Sequence, residues 1–238
     1  MSDLNTRRAS DLEWVPFGLT EKLETLTTAV IESQREAPSQ NTRLVSKLMK
    51  WSKQLEYIRL AVDKITHDLQ PEVQNALGLI IEETELFQII MFQPSTKNLF
   101  LEIKAHYLAE SELPLTERQM EFLISTSELS RVIALVGDGA ISMAVLHQLW
   151  SPESDEVGTM TERRAGVVSN ENLARVCDRW NLYEHRIHFD PPTPTKSEIE
   201  HIKGTLVEAV YGIIYIERGL DGVKDSIRHL KMASNDVD

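Results

Sequence analysis

The 238-residue sequence predicts an all-α fold, and three observations carry that prediction. Apolar residues recur at helical spacing, most regularly at Leu44, Leu48, Trp51, Leu55, Ile58, Val62, Ile65 and Leu69. Their alternating steps of four and three residues form an a/d heptad seam. No run alternates apolar and polar residues between hairpin turns, as a half-buried strand does. The nine prolines fall between the apolar-periodic stretches, where helix breakers belong.

The elements follow in chain order. Pro71 is expected to stop the heptad helix, and Val73, Leu77, Ile80 and Ile81 open a second apolar face. The two are expected to pair as an antiparallel helical hairpin. Between residues 41 and 64, six basic residues (Arg43, Lys47, Lys50, Lys53, Arg59, Lys64) accompany two acidic ones, Glu56 and Asp63. That stripe reads either as a face for RNA or a partner or as a solvated helix surface. Thr116 with Gln119 and Ser197 with Glu200 read as capping boxes. A long helix ends near Trp150 and leads to the acidic loop SPESDEVGTMT. Short helices are predicted in ERRAGVV and NENLARVCDRW, with Ser169 or Asn170 as the cap between them. After the proline-rich loop HFDPPTPTK, a helix of about 197–218 is ended by Gly219, and a last helix covers about 221–232.

Composition limits the function classes. Hydrophobic residues at 42% and charged residues at 26% exclude wholesale disorder. The net charge of −12 argues against a chain that coats nucleic acid or anionic membrane along its whole surface. Residues 1–110 hold 12 basic and 16 acidic residues and the rest hold 13 and 21, so neither part is basic. The single cysteine, Cys177, excludes an intrachain disulfide framework and a multi-cysteine metal site. The N-terminus MSDLNTRRASDLEW has no apolar signal core, so a cytoplasmic protein is expected. Residues 132–150, nineteen long, approach membrane-spanning length, but Asp138, His147 and Gln148 favour a buried core helix. No membrane association is expected.

Two carboxylates stand out. Asp138 is the one formal charge in residues 132–150, and Glu208 is alone in LVEAVYGIIYI, residues 206–216. Carboxylates are seldom buried unless paired, hydrogen-bonded or on a metal. Gly137-Asp138-Gly139 could start a helix with Asp138 as its N-cap, and Glu208 could pair with Lys203 or Arg175. If their helices pack together instead, two anions meet in a cleft, and all-oxygen ligation favours Mg²⁺ or Mn²⁺.

Three segments resemble one family in order. LVGDGAISMAVLHQLW resembles the ribonuclease III signature helix, ERRAGVVSNENLARV the family's SN-x-x-LA helix pair, and KGTLVEAVYGIIYIERGLDGVKDSI its second motif. Together they cover about 116–231. The resemblance implies a ribonuclease III-like helical endonuclease domain at 111–238, preceded by an N-terminal helical hairpin or bundle at 1–110. It implies a Mg²⁺-dependent homodimer that cuts double-stranded RNA. Residue by residue, the signature Asp falls on Asp138 and the second-motif Glu on Glu208. The other acidic positions of the motifs fall on Ala134, Thr205 and Arg131. The small bacterial class called Mini-III has Ala and Thr at the first two of these places. That class lacks a double-stranded-RNA-binding domain, and too few residues follow position 231 here for one. Residues 1–110 resemble neither class.

The family's signature helix runs through its Gly-Asp, which favours one helix of about 129–150 over a start at Asp138. The resemblance assigns Asp138 and Glu208 as metal ligands for Mg²⁺ or Mn²⁺, with Thr205 orienting a water beside them. It assigns phosphate contacts to Arg163, Arg164, Arg175, Arg179 and Lys203, which otherwise read as ordinary surface charge. It places Val132, Leu135 and Val136 at the homodimer interface. Double-stranded RNA is the expected partner, with a protein partner through residues 41–92 as a further expectation. The alternative reading is a catalytically silent ribonuclease III-like module that dimerises or scaffolds an RNA–protein assembly.

Overall fold

A computed structural model describes residues 12–110, 112–151, 156–189 and 194–230. The expected features at 1–11, 152–155, 190–193 and 231–232 lie outside the described residues. In order, the helices are α1 (Leu19–Glu36), α2 (Thr42–Lys64), α3 (Gln70–Leu77), α4 (Thr84–Ile89) and α5 (Lys97–Glu110). They continue with α6 (Glu117–Leu149), α7 (Val157–Val168), α8 (Asn170–Arg179) and α9 (Lys196–Ser226). Among the described residues there is no strand; one isolated parallel bridge joins Phe92 to Ile187. The all-α expectation holds.

The heptad seam is buried as its spacing requires: Leu48, Trp51, Leu55, Ile58, Val62, Ile65 and Leu69 are inside, while Leu44 is half-buried. Its hairpin partner is not the segment after Pro71. The chain passes through Pro71 without stopping, because Ile65–Leu69 forms a π turn that leads straight into α3. Proline ordinarily clashes with the carbonyl four residues back and lacks an N–H. The wider π register, in which the Gln70 N–H bonds the Ile65 carbonyl, accommodates it. Gly78, at φ 63°, then caps α3. The hairpin is instead α1 on α2, joined by residues 37–41, with Ser52 Oγ donating to Gln34 Oε1 at 3.2 Å. Ile80, expected on the second apolar face, is 67% exposed, whereas Val73, Leu77 and Ile81 are buried.

The helix expected at 129–150 begins earlier, at Glu117, where Thr116 and Gln119 close the capping box. It therefore runs through Gly137-Asp138-Gly139, and Asp138 caps nothing. Ser169 is the cap of α8, its hydroxyl accepting from the Asn172 N–H. The capping box of α9 uses Thr195 and Glu198, not Ser197 and Glu200, so the helix starts one residue sooner than expected. Gly219 does break α9, at φ 64° and ψ −165°, but the helix resumes beyond it to Ser226 and tightens into a 3₁₀ turn at Ile227–Leu230.

By length and composition α6 could cross a membrane. In the fold it is the central helix, packed on α9 and flanked by α4, α5 and α7. Buried apolar side chains from Leu19 to Leu230 join one continuous core around it. The α6–α9 contact is unusually close. A Cβ at Gly137 would lie 1.8 Å from the Glu208 carbonyl oxygen, and one at Gly212 would lie 2.1 Å from the Ile133 carbonyl oxygen. The helices thus cross backbone to backbone on two glycines, running antiparallel.

Candidate functional site

That crossing makes the site. Gly137 precedes Asp138 on α6 and touches the backbone of Glu208 on α9, so the two carboxylates belong to adjacent turns of crossing helices. Asp138 is exposed and Glu208 is half-buried. Burial, and then the negative charge of Asp138, push the Glu208 carboxyl up to about 7. Neither carboxylate has an ionic partner among the described residues. The expected pairing of Glu208 with Lys203 or Arg175 does not form. Lys203 instead reaches Asp178 at 2.6 Å, and Arg175 pairs with Glu171. Both alternatives read from the sequence for Asp138 and Glu208 are therefore set aside.

Around the pair, Thr205 lies one turn before Glu208 on α9 and is half-buried. Ala134 is buried one turn before Asp138, and Arg131 is exposed and paired with Glu128 at 3.1 Å. Neither adds a negative oxygen. Among the described residues no group of three or more His, Cys, Asp or Glu gathers as a metal site. The donor set fits a divalent cation through two carboxylates: Asp138 lies near enough for its charge to raise the Glu208 carboxyl, and no cation pairs with either among the described residues. Oxygen-only ligation by one or two carboxylates, completed by water and phosphate, is a common arrangement for Mg²⁺.

Of the five proposed phosphate-binding residues, Arg164 is tied to this centre. Its guanidinium donates to Ser142 Oγ at 3.0 Å, and Ser142 lies one turn beyond Asp138 on α6. Arg179 donates to the His229 carbonyl oxygen at 2.9 Å. Lys203, besides binding Asp178, lies 5.2 Å from the Tyr183 ring. Arg163 and Arg175 are exposed on α7 and α8. On the outer side of α6, Leu135 is 71% exposed and Val132 is 49% exposed, while Val136 is half-buried. Met143, half exposed, extends that apolar stripe.

The parts that sequence reasoning passed over are Gly212 and the α7 arginine bond to Ser142. Gly212 is visible in the sequence as the one glycine in LVEAVYGIIYI, but only its match to Gly137 shows what it does. Cys177 is buried, with its thiol pushed up to about 12 by burial, and takes no part in the centre.

Residues 131–219 match the family model of the Ribonuclease III domain. This stretch, somewhat more than a third of the chain, is similar to a ribonuclease III domain. The match begins on α6 seven residues before Asp138 and ends at the Gly219 break, so it contains the whole helix crossing. No curated protein and no solved structure matched the chain. Ribonuclease III domains belong to endonucleases of RNA processing and generally use a divalent metal.

Proposed function

We propose that this protein is a Mg²⁺-dependent endoribonuclease that cuts double-stranded RNA as a homodimer, with Mn²⁺ able to replace Mg²⁺. The observation that carries the reading is the uncompensated Asp138–Glu208 pair at the Gly137 crossing of the ribonuclease III domain. Asp138 and Glu208 would hold the cation, which supplies a lowered water pKa and neutralises charge on the scissile phosphate. Glu208, its carboxyl pushed up to about 7, is about half-protonated at neutrality and would be deprotonated when it holds a cation. Thr205 offers a hydroxyl one turn away, placed to orient a water. Arg164, held against α6 by Ser142, supplies positive charge on the same helix face as Asp138 and would bind a phosphate oxygen. The exposed Val132–Leu135 stripe, with Val136 at its edge, would be covered by the same stripe of a second copy.

A second reading has its own support. Ala134 and Arg131 stand where the signature helix has acids, and the surface carries a net charge of −12. Both favour a catalytically silent module that scaffolds an RNA–protein assembly. Cutting decides between them. Full-length protein with duplex RNA at low salt, in Mg²⁺ and then in Mn²⁺, should release fragments, and Asp138→Asn should release none while melting as the parent does. Parent protein that cuts no more than Asp138→Asn in either metal leaves the scaffold reading in possession.

A further inference from the structure

The cations of α2 share one face. Arg43, Lys47, Lys50, Lys53 and Lys64 are exposed, and at the helical repeat they fall within an arc of about 120° that also contains Tyr57. From Arg43 to Lys64 the row is about 30 Å long. The acids of α2 lie outside that arc. Glu56 is bonded to Arg59 at 2.7 and 3.0 Å, and Asp63 faces His67 at 3.4 Å. From α5, Glu102 reaches Lys50 at 3.6 Å and accepts from Trp51 Nε1, and Lys47 lies 4.6 Å over the Trp51 ring. Arg43, Lys53 and Lys64 have no ionic partner among the described residues.

Beside this row a cleft of about 450 Å³ opens, lined by Lys50, Gln54, Ser95, Asn98, Leu99, Phe189 and the carboxylate of Glu102, which is engaged by Lys50 and Trp51. The Phe189 and Tyr57 rings meet at 5.7 Å, tilted by 55°, and the Tyr57 hydroxyl donates to the Arg186 carbonyl oxygen at 3.3 Å. Gln54 Oε1 is buried there without a hydrogen-bond partner. On a chain with 37 carboxylates, these exposed cations gathered on one helix face make a local positive patch that a polyanion would match. An acidic protein segment would match the charge alone. The aromatic pair and the amide and hydroxyl groups of the cleft match a charged backbone that also carries stacking and hydrogen-bonding bases.

We infer that this face of α2, with the Tyr57–Phe189 cleft, is a second RNA-binding surface, which follows the phosphate backbone outside the Asp138–Glu208 centre. The inference rests on the ribonuclease III reading for the kind of polyanion, but not on whether the centre cuts.

The test is binding of a labelled RNA hairpin with a single-stranded flank to the full chain by fluorescence anisotropy, with a chelator present so that nothing is cleaved. Lys53→Gln and Lys64→Gln should each lower the salt slope of log affinity by about one. The triple variant with Arg43→Gln should bind about tenfold more weakly, or worse, at moderate salt. Arg118→Gln, an equal loss of charge on exposed α6, should change neither. The inference is overturned if parent protein does not bind RNA at low salt, or if Arg118→Gln weakens binding as much as Lys53→Gln. It is overturned equally if polyglutamate competes as well as RNA for the same lysines, which would make the face a protein-docking surface. Binding that depends on α2 without any cutting in Mg²⁺ or Mn²⁺ removes the catalytic reading and leaves this one standing.

Discussion

Glu208 carries the electrostatic strain of the site. In the folded chain its carboxyl is raised to about 7 by burial and by Asp138, while in the unfolded chain it returns to the ordinary carboxylate range. The folded state therefore binds this proton more tightly. As pH climbs from about 4.5 to 7, the unfolded chain loses the proton first, and folding stability falls. Above 7 the whole cost is present. Glu208→Gln removes the titration, so the variant should be more stable than the parent at pH 8, by about 1–2 kcal/mol after allowance for solvent screening. At pH 4 the two should melt alike. Thermal melts across that range, without divalent metal, check the sign. Added Mg²⁺ should then raise the melting temperature of the parent and leave Glu208→Gln unmoved. A parent that melts lower than the variant at pH 4 but not at pH 8 would reverse the argument.

At the scale of elements, the α6–α9 crossing decides what each glycine is worth. Gly137 and Gly139 flank the same aspartate and should respond oppositely to alanine. The Gly137→Ala methyl would lie 1.8 Å from a backbone oxygen that cannot move without shifting α9, so about 3 kcal/mol or more of stability should be lost. Gly139 has nothing within 4 Å of the position its Cβ would take. There alanine only relieves the conformational freedom of a helical glycine, and a gain of about 0.5–1 kcal/mol is expected. Urea unfolding of the two variants provides the comparison. Loss at both positions, or at neither, would mean that the helices do not meet where the crossing requires. The sequence already offered both glycines in one tripeptide and could not tell them apart. A helix period assigns faces, but only the partner helix makes one face tight and leaves the other open.

For the whole molecule, the exposed side of α6 is the face proposed to pair with a second copy. Leu135 at 71% and Val132 at 49% exposure lie on the outside of α6, which among the described residues is the one helix long and apolar enough to cross a membrane, a costly place for large aliphatic residues in a lone copy. Leu135→Asp should therefore convert a dimer into monomers by light scattering, with helical content unchanged. A variant that stays dimeric would place the interface elsewhere, and α2 with its exposed Met49 and Leu60 is the next surface to test. The acidic net charge and the basic row on α2 are compatible at this scale, because the charge is not shared evenly. Interaction with a polyanion depends on the local row, and the remaining acidic surface limits where else it can bind.

Periodicity and caps determined the helices by themselves. The heptad seam, the Thr116 box and the Gly219 break could all be read directly, and the α8 cap was narrowed to Ser169 or Asn170, because each is set by neighbours within one or two turns. The same local reasoning misplaced the hairpin and the stop at Pro71. A π turn is a compromise with the surrounding packing, and nothing in the residues on either side announces it. Asp138 and Glu208 were conspicuous as lone charges, but residue patterns alone left a cap and a salt bridge as alternatives, and only the family resemblance argued against the cap. Tertiary structure closed both, since whether a carboxylate caps, pairs or faces another depends on which backbone lies against it. Sixty-nine residues separate Asp138 from Glu208, and apart from the family resemblance no local periodicity or cap signals their meeting. Two glycines without side chains let α6 and α9 approach closely enough for it.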